Sequence, residues 1–196
     1  MACTLPRGRD AVHQKKIEAS RYSWETGAVP IQRLNHAVLY VRDVDRSVAF
    51  YTDVLGFRVK AALPGAAFLQ AEGSNNDHDL GLFAVGGGAS ASTAGRTSVG
   101  LYHLAWEVDT LGELRRVAEV LREAGALVGA SDHGTTKALY AHDPDGLEFE
   151  VSWLVPADLI TDDLTVQTRP LDLDAAVARY GVDTPGGIGV STPALR

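Results

Sequence analysis

The hydrophobic pattern starts late. Residues 1–32 are polar and mixed in charge, show no sustained periodicity, and read as an N-terminal extension. From residue 33 the texture changes. His36-Ala-Val-Leu-Tyr-Val41 is a short apolar run rich in β-favouring residues and predicts a strand. Val48, Tyr51, Val54 and Leu55 then recur at helical spacing, with Asp43 or Asp45 as the cap and Gly56 as the stop. Three further strands are predicted near 57–61, 66–71 and 79–85, separated by Pro64-Gly65 and Gly73-Ser-Asn-Asn76, which are turn compositions. Residues 33–85 are therefore a βαβββ module.

Residues 86–98, Gly-Gly-Gly-Ala-Ser-Ala-Ser-Thr-Ala-Gly-Arg-Thr-Ser, contain nothing to bury and read as a flexible linker. The pattern then starts again. Leu101–Val108 is a strand, and Thr110 with Glu113 forms a capping box for a helix carrying Leu114, Val117, Val120 and Leu121 before Gly125. Strands near 127–130, 137–142 and 147–154 complete a second βαβββ module over residues 99–155. His36 and His103 stand 67 positions apart, as do Val41 and Val108, so the chain contains an internal repeat. One such sheet cannot cover both its faces. The predicted class is α+β, with two paired βαβββ modules forming a curved mixed sheet around a pocket. Residues 156–196 form a C-terminal tail with one short helix, 172–180, ended by Gly181.

Composition narrows the function. The 196 residues carry 18 Lys+Arg against 25 Asp+Glu, a net charge of −7, with no basic run longer than Lys15-Lys16. Nucleic acid and anionic membranes are thereby disfavoured as partners, since both demand clustered positive charge. The single cysteine, Cys3, can form neither an intrachain disulfide nor a thiolate cage, so any metal must be held by His and carboxylate. The opening Met-Ala-Cys-Thr-Leu-Pro-Arg lacks the apolar core of a signal peptide, and no stretch approaches the ~20 apolar residues of a membrane span. A cytoplasmic location is expected.

The chemistry-bearing residues follow the repeat. Alone, His36 or His103 would read as a strand-edge histidine bonded to backbone; their equivalence points instead to converging imidazoles on a divalent metal. In the last strand, Asp143-Pro-Asp-Gly146 sets the entry angle and places Glu148 and Glu150 on one face, Phe149 and Val151 on the other. One of the two glutamates is expected to face inward. Trp106, Phe83, Tyr51 and Phe57 read as core; His13 and His142 have no evident partner, and Gly86-Gly-Gly88 lacks phosphate-loop spacing.

Over residues 33–155 the chain resembles the vicinal oxygen chelate superfamily, and within it the single-domain type I extradiol catechol dioxygenases. The residues that carry the resemblance are Leu-Asn-His36, Asp-x-x-x-Ser-x-x-Phe-Tyr51-x-x-x-Leu-Gly-Phe57, Asp-His78-Asp-Leu, Tyr-His103-Leu-Ala-Trp and Leu-Tyr140-x-x-Asp-Pro-Asp-Gly-x-x-x-Glu150. It implies that His36, His103 and Glu150 are the metal ligands, forming the two-histidine, one-carboxylate face of a mononuclear Fe(II) site, with Mn(II), Ni(II) or Zn(II) as alternatives. It implies that His78 is an acid/base beside the metal, that Tyr140 hydrogen-bonds substrate or the oxygenated intermediate, and that His133 lies near bound oxygen. His133 precedes Tyr140 by seven residues, a shorter interval than the family pattern. Gly81 falls about where glyoxalase-type relatives have a fourth, acidic ligand, a departure that favours an open oxygenase site.

The implied activity is ring opening of a catechol-type aromatic diol with O2, and the implied assembly is a homo-oligomer. Two rivals stand beside it. One is a glyoxalase- or epimerase-type lyase or isomerase with His78 as a fourth ligand to Ni(II), Zn(II) or Co(II). The other is a non-catalytic small-molecule binder like the family's bleomycin-resistance members.

Overall fold

A computed structural model of the chain describes residues 31, 33–94, 97–161, 164 and 167–187. Almost all of the N-terminal extension, with Cys3 and His13, lies outside the described residues. The chain divides after Arg33, and the fold described is that of the unit beginning at Leu34.

The first module contains β1 (Ala37–Val41), α1 (Val44–Asp53), β2 (Arg58–Leu63), β3 (Ala66–Gln70) and β4 (Leu80–Ala84). Its sheet has the order β1-β4-β3-β2, with β1 parallel to β4 and the other pairs antiparallel. Local chemistry sets the ends of α1. Asp43, not Asp45, is its cap, accepting the Arg46 N–H at 3.0 Å, and Gly56 takes φ +70 just beyond the last turn, a conformation that favours glycine.

The second module repeats the plan with β5 (Leu104–Glu107), α2 (Leu111–Glu123), β6 (Leu127–Asp132), β7 (Thr136–His142) and β8 (Glu148–Leu154). Thr110 caps α2 by accepting the Glu113 N–H at 3.1 Å. The helix buries Leu111, Leu114, Ala118 and Leu121. Its core stripe is thus rotated slightly from the expected Leu114, Val117, Val120 and Leu121, with Val117 at the edge. The sheet order is β5-β8-β7-β6, the same as in the first module, extended by β9 (Arg169–Pro170) on the outer edge of β6.

The architecture is the expected α+β pair of modules, but strand pairing stays within each one. There are two mixed sheets, not the one curved sheet expected, and no strand of one is paired with a strand of the other. β1 and β5, the equivalent first strands, are both edge strands.

The modules join through side chains. Phe57 meets Trp106 edge-on with ring centres 5.1 Å apart, and Phe50 meets Phe149 at 6.0 Å. The Asp143–Gly146 turn adds a polar clasp. Asp143 Oδ1 accepts the N–H groups of Asp145 and Leu147, each at 2.8 Å, and Gly146 occupies φ +83 as the tight turn demands. Asp145, now aimed at the other module, accepts the Arg42 backbone N–H and guanidinium, both at 2.8 Å. Arg46 donates to the Pro144 carbonyl at 2.7 Å, and Tyr51 donates to Asp143 Oδ2 at 3.4 Å. Burial raises the Asp143 carboxyl above its ordinary range and the Tyr51 hydroxyl well above its own.

The described part of the tail belongs to the second module. After a 3-10 turn at Ala157–Leu159 and β9, α3 (Leu173–Tyr180), capped by Asp172, buries Ala176 and Tyr180 in the core built on Trp153. Trp153 Nε1 donates to the Thr184 carbonyl at 3.1 Å. Lys137, 2% exposed, donates to Asp132 at 2.6 Å and to the Gly134 carbonyl at 2.7 Å. No described helix is long and apolar enough to cross a membrane.

Two stability predictions follow from these contacts. Asp145→Ala strands the Arg42 donors at the module junction and should cost about 1–3 kcal/mol, read as a lower urea midpoint. Burial pushes the Asp132 carboxyl up, but Lys137, the Gly134 N–H and Arg169 outweigh it and hold it below the ordinary carboxylate value. A lowered native value gives stability that is present above the unfolded-state value and lost as pH falls through the native one. Asp132→Asn should therefore be less stable at neutral pH and lose less stability on acidification.

Candidate functional site

The repeat places its histidines equivalently, one residue before each module's first strand: His36 before β1 and His103 before β5. Strand alternation then decides what each one meets.

On the second module, β8 sends Glu148 and Glu150 to one face and buries Phe149 and Val151 on the other, as expected. His103 stands over that acidic face, with Nε2 3.4 Å from Glu150 Oε2 and Nδ1 3.9 Å from Glu148 Oε1. Its Nδ1 is buried and makes no hydrogen bond. Tyr140 lies directly across the ladder from Glu150, its ring centre 5.7 Å from that of His103. The Tyr140 hydroxyl and His133 Nε2 are 2.9 Å apart. His133 Nδ1 faces the Gln167 carbonyl at 3.1 Å, which can only accept, so Nδ1 carries the proton and Nε2 accepts from Tyr140. Burial, and next the Glu150 carboxylate, push the Tyr140 hydroxyl up to about 12, so it remains a donor at neutral pH. Four of the six sequence-derived site residues thus form one cluster.

The other two form a second cluster on the first module. His36 and His78 have ring centres 4.6 Å apart, and Phe68 meets His78 edge-on at 5.0 Å. Each imidazole is held through Nδ1, His36 by Asn35 Oδ1 at 2.7 Å and His78 by Asp77 Oδ2 at 2.9 Å. Such a bond fixes the ring and presents Nε2 outward, as a metal-ligating or proton-transferring imidazole requires. Gly81 sits beside them in β4, where an added Cβ would meet Val38 at 3.4 Å and Phe68 at 3.6 Å. That position offers no carboxylate.

The donor chemistry suits a divalent metal, but its convergence is incomplete. Among the described residues no three His, Cys, Asp or Glu side chains are grouped so as to hold a metal ion. His103 has Glu150, and His36 has His78; the expected triad of His36, His103 and Glu150 is not assembled within one chain. A cavity of about 600 Å3 opens at the module junction between Leu39, Tyr51, Trp106, Phe149, His142 and Glu148, and none of the triad lines it.

Residues 33–151 match the model of the Glyoxalase/Bleomycin resistance protein/Dioxygenase superfamily. The chain belongs to this superfamily. Within it, the chain is 32% identical over 118 residues to catechol-2,3-dioxygenase of Bacillus subtilis, covering 60% of this chain and 40% of that protein. It is 36% identical over 115 residues to biphenyl-2,3-diol 1,2-dioxygenase 3 of Rhodococcus globerulus, covering 58% and 59%. The matches thus span well under two thirds of either dioxygenase. Lactoylglutathione lyase of Salmonella typhimurium is 32% identical over 136 residues, covering 61% of this chain and 90% of that enzyme. A superfamily domain from Frankia shares the fold, with a TM-score of 0.52 at 23% identity over 63% of this chain and 92% of that one.

Sequence reasoning passed over His142, whose Nε2 lies 3.7 Å from Glu148 Oε2 at the rim of the acidic face. Its signal was available: β7 and β8 pair antiparallel, and the tight turn between them sets His142 opposite Glu148. In metal-free protein, the tyrosinate absorbance lost on Tyr140→Phe should titrate near pH 12, and a step near pH 10 would show the hydroxyl to be exposed and unperturbed.

Proposed function

We propose that this superfamily member is an extradiol-type dioxygenase that opens a catechol-type ring with O2 at a mononuclear Fe(II). The observation that carries the reading is the cluster on the second module: His103 against Glu150, with the Tyr140–His133 hydrogen bond beside them. A ring-opening oxygenase has work for all four. The reaction class requires a divalent metal, for which His36, His103 and Glu150 are the candidate donors, although one chain does not bring the three together.

The chain's own residues supply the proton handling. Tyr140, held protonated, can turn its hydroxyl from His133 Nε2 to an anionic oxygen of a bound diol, and His133, proton on Nδ1, can accept in its place. His78, steadied through Nδ1 by Asp77, has Nε2 available to take a diol proton. The similarity to two dioxygenases of aromatic diols supports the substrate class.

A lyase reading keeps one specific support, since the match to lactoylglutathione lyase spans 90% of that enzyme's length. Against it stands Gly81, which leaves the first module without the acidic ligand expected of such enzymes. Oxygen uptake by anaerobically Fe(II)-loaded protein, with catechol and 2,3-dihydroxybiphenyl, decides between them. Uptake matched by a yellow ring-opened product is expected; iron bound without uptake, together with lactoylglutathione formed anaerobically, would replace the dioxygenase with the lyase. His78→Ala should retain metal and lose about 10²–10⁴-fold in turnover.

A further inference from the structure

His133 is held from outside the two modules. It follows the last residue of β6, in the turn to β7, and its partners Gln167 and Thr168 lie in the tail, beyond the stretch 33–151 that matches the superfamily. The register explains the meeting. β6 and β9 pair antiparallel, Ser131 opposite Pro170 and Asp132 opposite Arg169, so one further step sets Thr168 opposite His133. His133 Nδ1 then lies 3.1 Å from the Gln167 carbonyl and 3.2 Å from Thr168 Oγ1. Arg169 ties this segment to the hairpin. Its Nε is 3.7 Å from Asp132 Oδ2, and the Gln167 amide oxygen, turned toward the guanidinium, accepts from Nε at 3.2 Å and from Nη2 at 2.6 Å. Only Leu171 and Asp172 separate β9 from α3, whose Tyr180 meets Trp153 with ring centres 5.5 Å apart. The same Tyr180 ring lies 5.5 Å from Lys137 Nζ, which also holds Asp132 and the Gly134 carbonyl on either side of His133. One buried lysine thus braces both the turn that carries the imidazole and the helix that positions the tail.

We infer that Gln167, Thr168 and Arg169 are positioning residues for this cluster: Arg169 pins the tail on Asp132, and the Gln167 carbonyl keeps the His133 proton on Nδ1, leaving Nε2 a base beside Tyr140. The inference rests on the reading of the cluster as a reacting site proposed above. A neutral imidazole carries one proton, and a partner that can only accept decides which nitrogen holds it. Water, which donates and accepts alike, leaves that choice open. With the proton on Nδ1, Nε2 accepts from the Tyr140 hydroxyl at 2.9 Å and stays an acceptor when that hydroxyl turns to a bound diol. The opposite tautomer would donate from Nε2 to the Tyr140 oxygen and take the base away. Thr168 adds a hydroxyl that accepts beside the carbonyl and so narrows the ring's orientation. Packing alone asks for none of this. Ala176 and Tyr180 of α3 already cover the second module's core, and solvent would satisfy a turn histidine left to itself.

The test reads the tautomer directly, from the imidazole nitrogen NMR shifts of metal-free protein at about pH 8, above the ordinary histidine range. Wild type should show His133 with its proton on Nδ1. Arg169→Glu sets a carboxylate against Asp132 and removes the donor to Gln167, at a side chain 57% exposed and therefore outside the core. It should release the segment and let the proton spread over both nitrogens, whereas Arg169→Lys should restore the wild-type pattern. Arg169→Ala, which only removes the tie, gives the same reading should the reversed charge disturb folding. In Fe(II)-loaded protein, Arg169→Glu should lose about 10-fold or more in kcat with KM nearly unchanged, since a base is lost and no substrate contact is. A wild-type proton on Nε2, or Arg169→Glu and Arg169→Ala proteins that keep the proton on Nδ1, would overturn the inference. So would a scrambled tautomer with kcat unchanged. If the tautomer follows Arg169 but wild type consumes no O2 with catechol or 2,3-dihydroxybiphenyl, the tail still sets the imidazole and the dioxygenase reading falls.

Discussion

A βαβββ module has one helix and four strands, so its helix can cover one face of its sheet and the other face must find a different cover. Everything else in this structure answers that constraint. On the helix side each module solves it alone: α2 seals the second sheet with Leu111, Leu114, Ala118 and Leu121, and α3 adds Ala176 and Tyr180 from the tail. Between the modules it is solved by Phe50, Leu55 and Trp106, which pack against both cores. On the remaining faces stand the histidines and glutamates. Burying those faces without a ligand or a partner would strand polar groups that need hydrogen bonds or a metal.

The fold was largely legible because its signals are local. Alternation gave β1 and β8 their faces, Asp43 and Thr110 marked the helix starts, and Asp143-Pro-Asp-Gly146 announced the entry to β8. β9 was not legible, since two residues closing onto β6 owe their strand geometry to the tail docked behind them, not to their own pattern. The tail itself looked uncommitted because its apolar residues are sparse. The structure shows that Tyr180 and the Thr184 carbonyl are enough to fasten it to Trp153.

The site was legible as a list but not as an arrangement. Tyr140 and Glu150 occupy the strand positions their spacing implied, His36 and His103 stand one residue before the strands expected to hold them, and Tyr140, Glu150, His103 and His133 meet as neighbours. What a linear pattern does not carry is which first strand faces which. The offset between His36 and His103 establishes equivalence but not contact. The modules themselves are locked by the Asp143–Gly146 turn, with Arg42 on Asp145 and Tyr51 on Asp143.

The central claim is that the cluster on the second module belongs to a metal site. The most direct measurement is the crystal structure of the Fe(II)- or Mn(II)-loaded protein, with the metal located by its anomalous scattering. The account predicts a metal bound by His103 and Glu150, with the Tyr140–His133 pair beside it. A metal held by donors that include neither His103 nor Glu150 would contradict it.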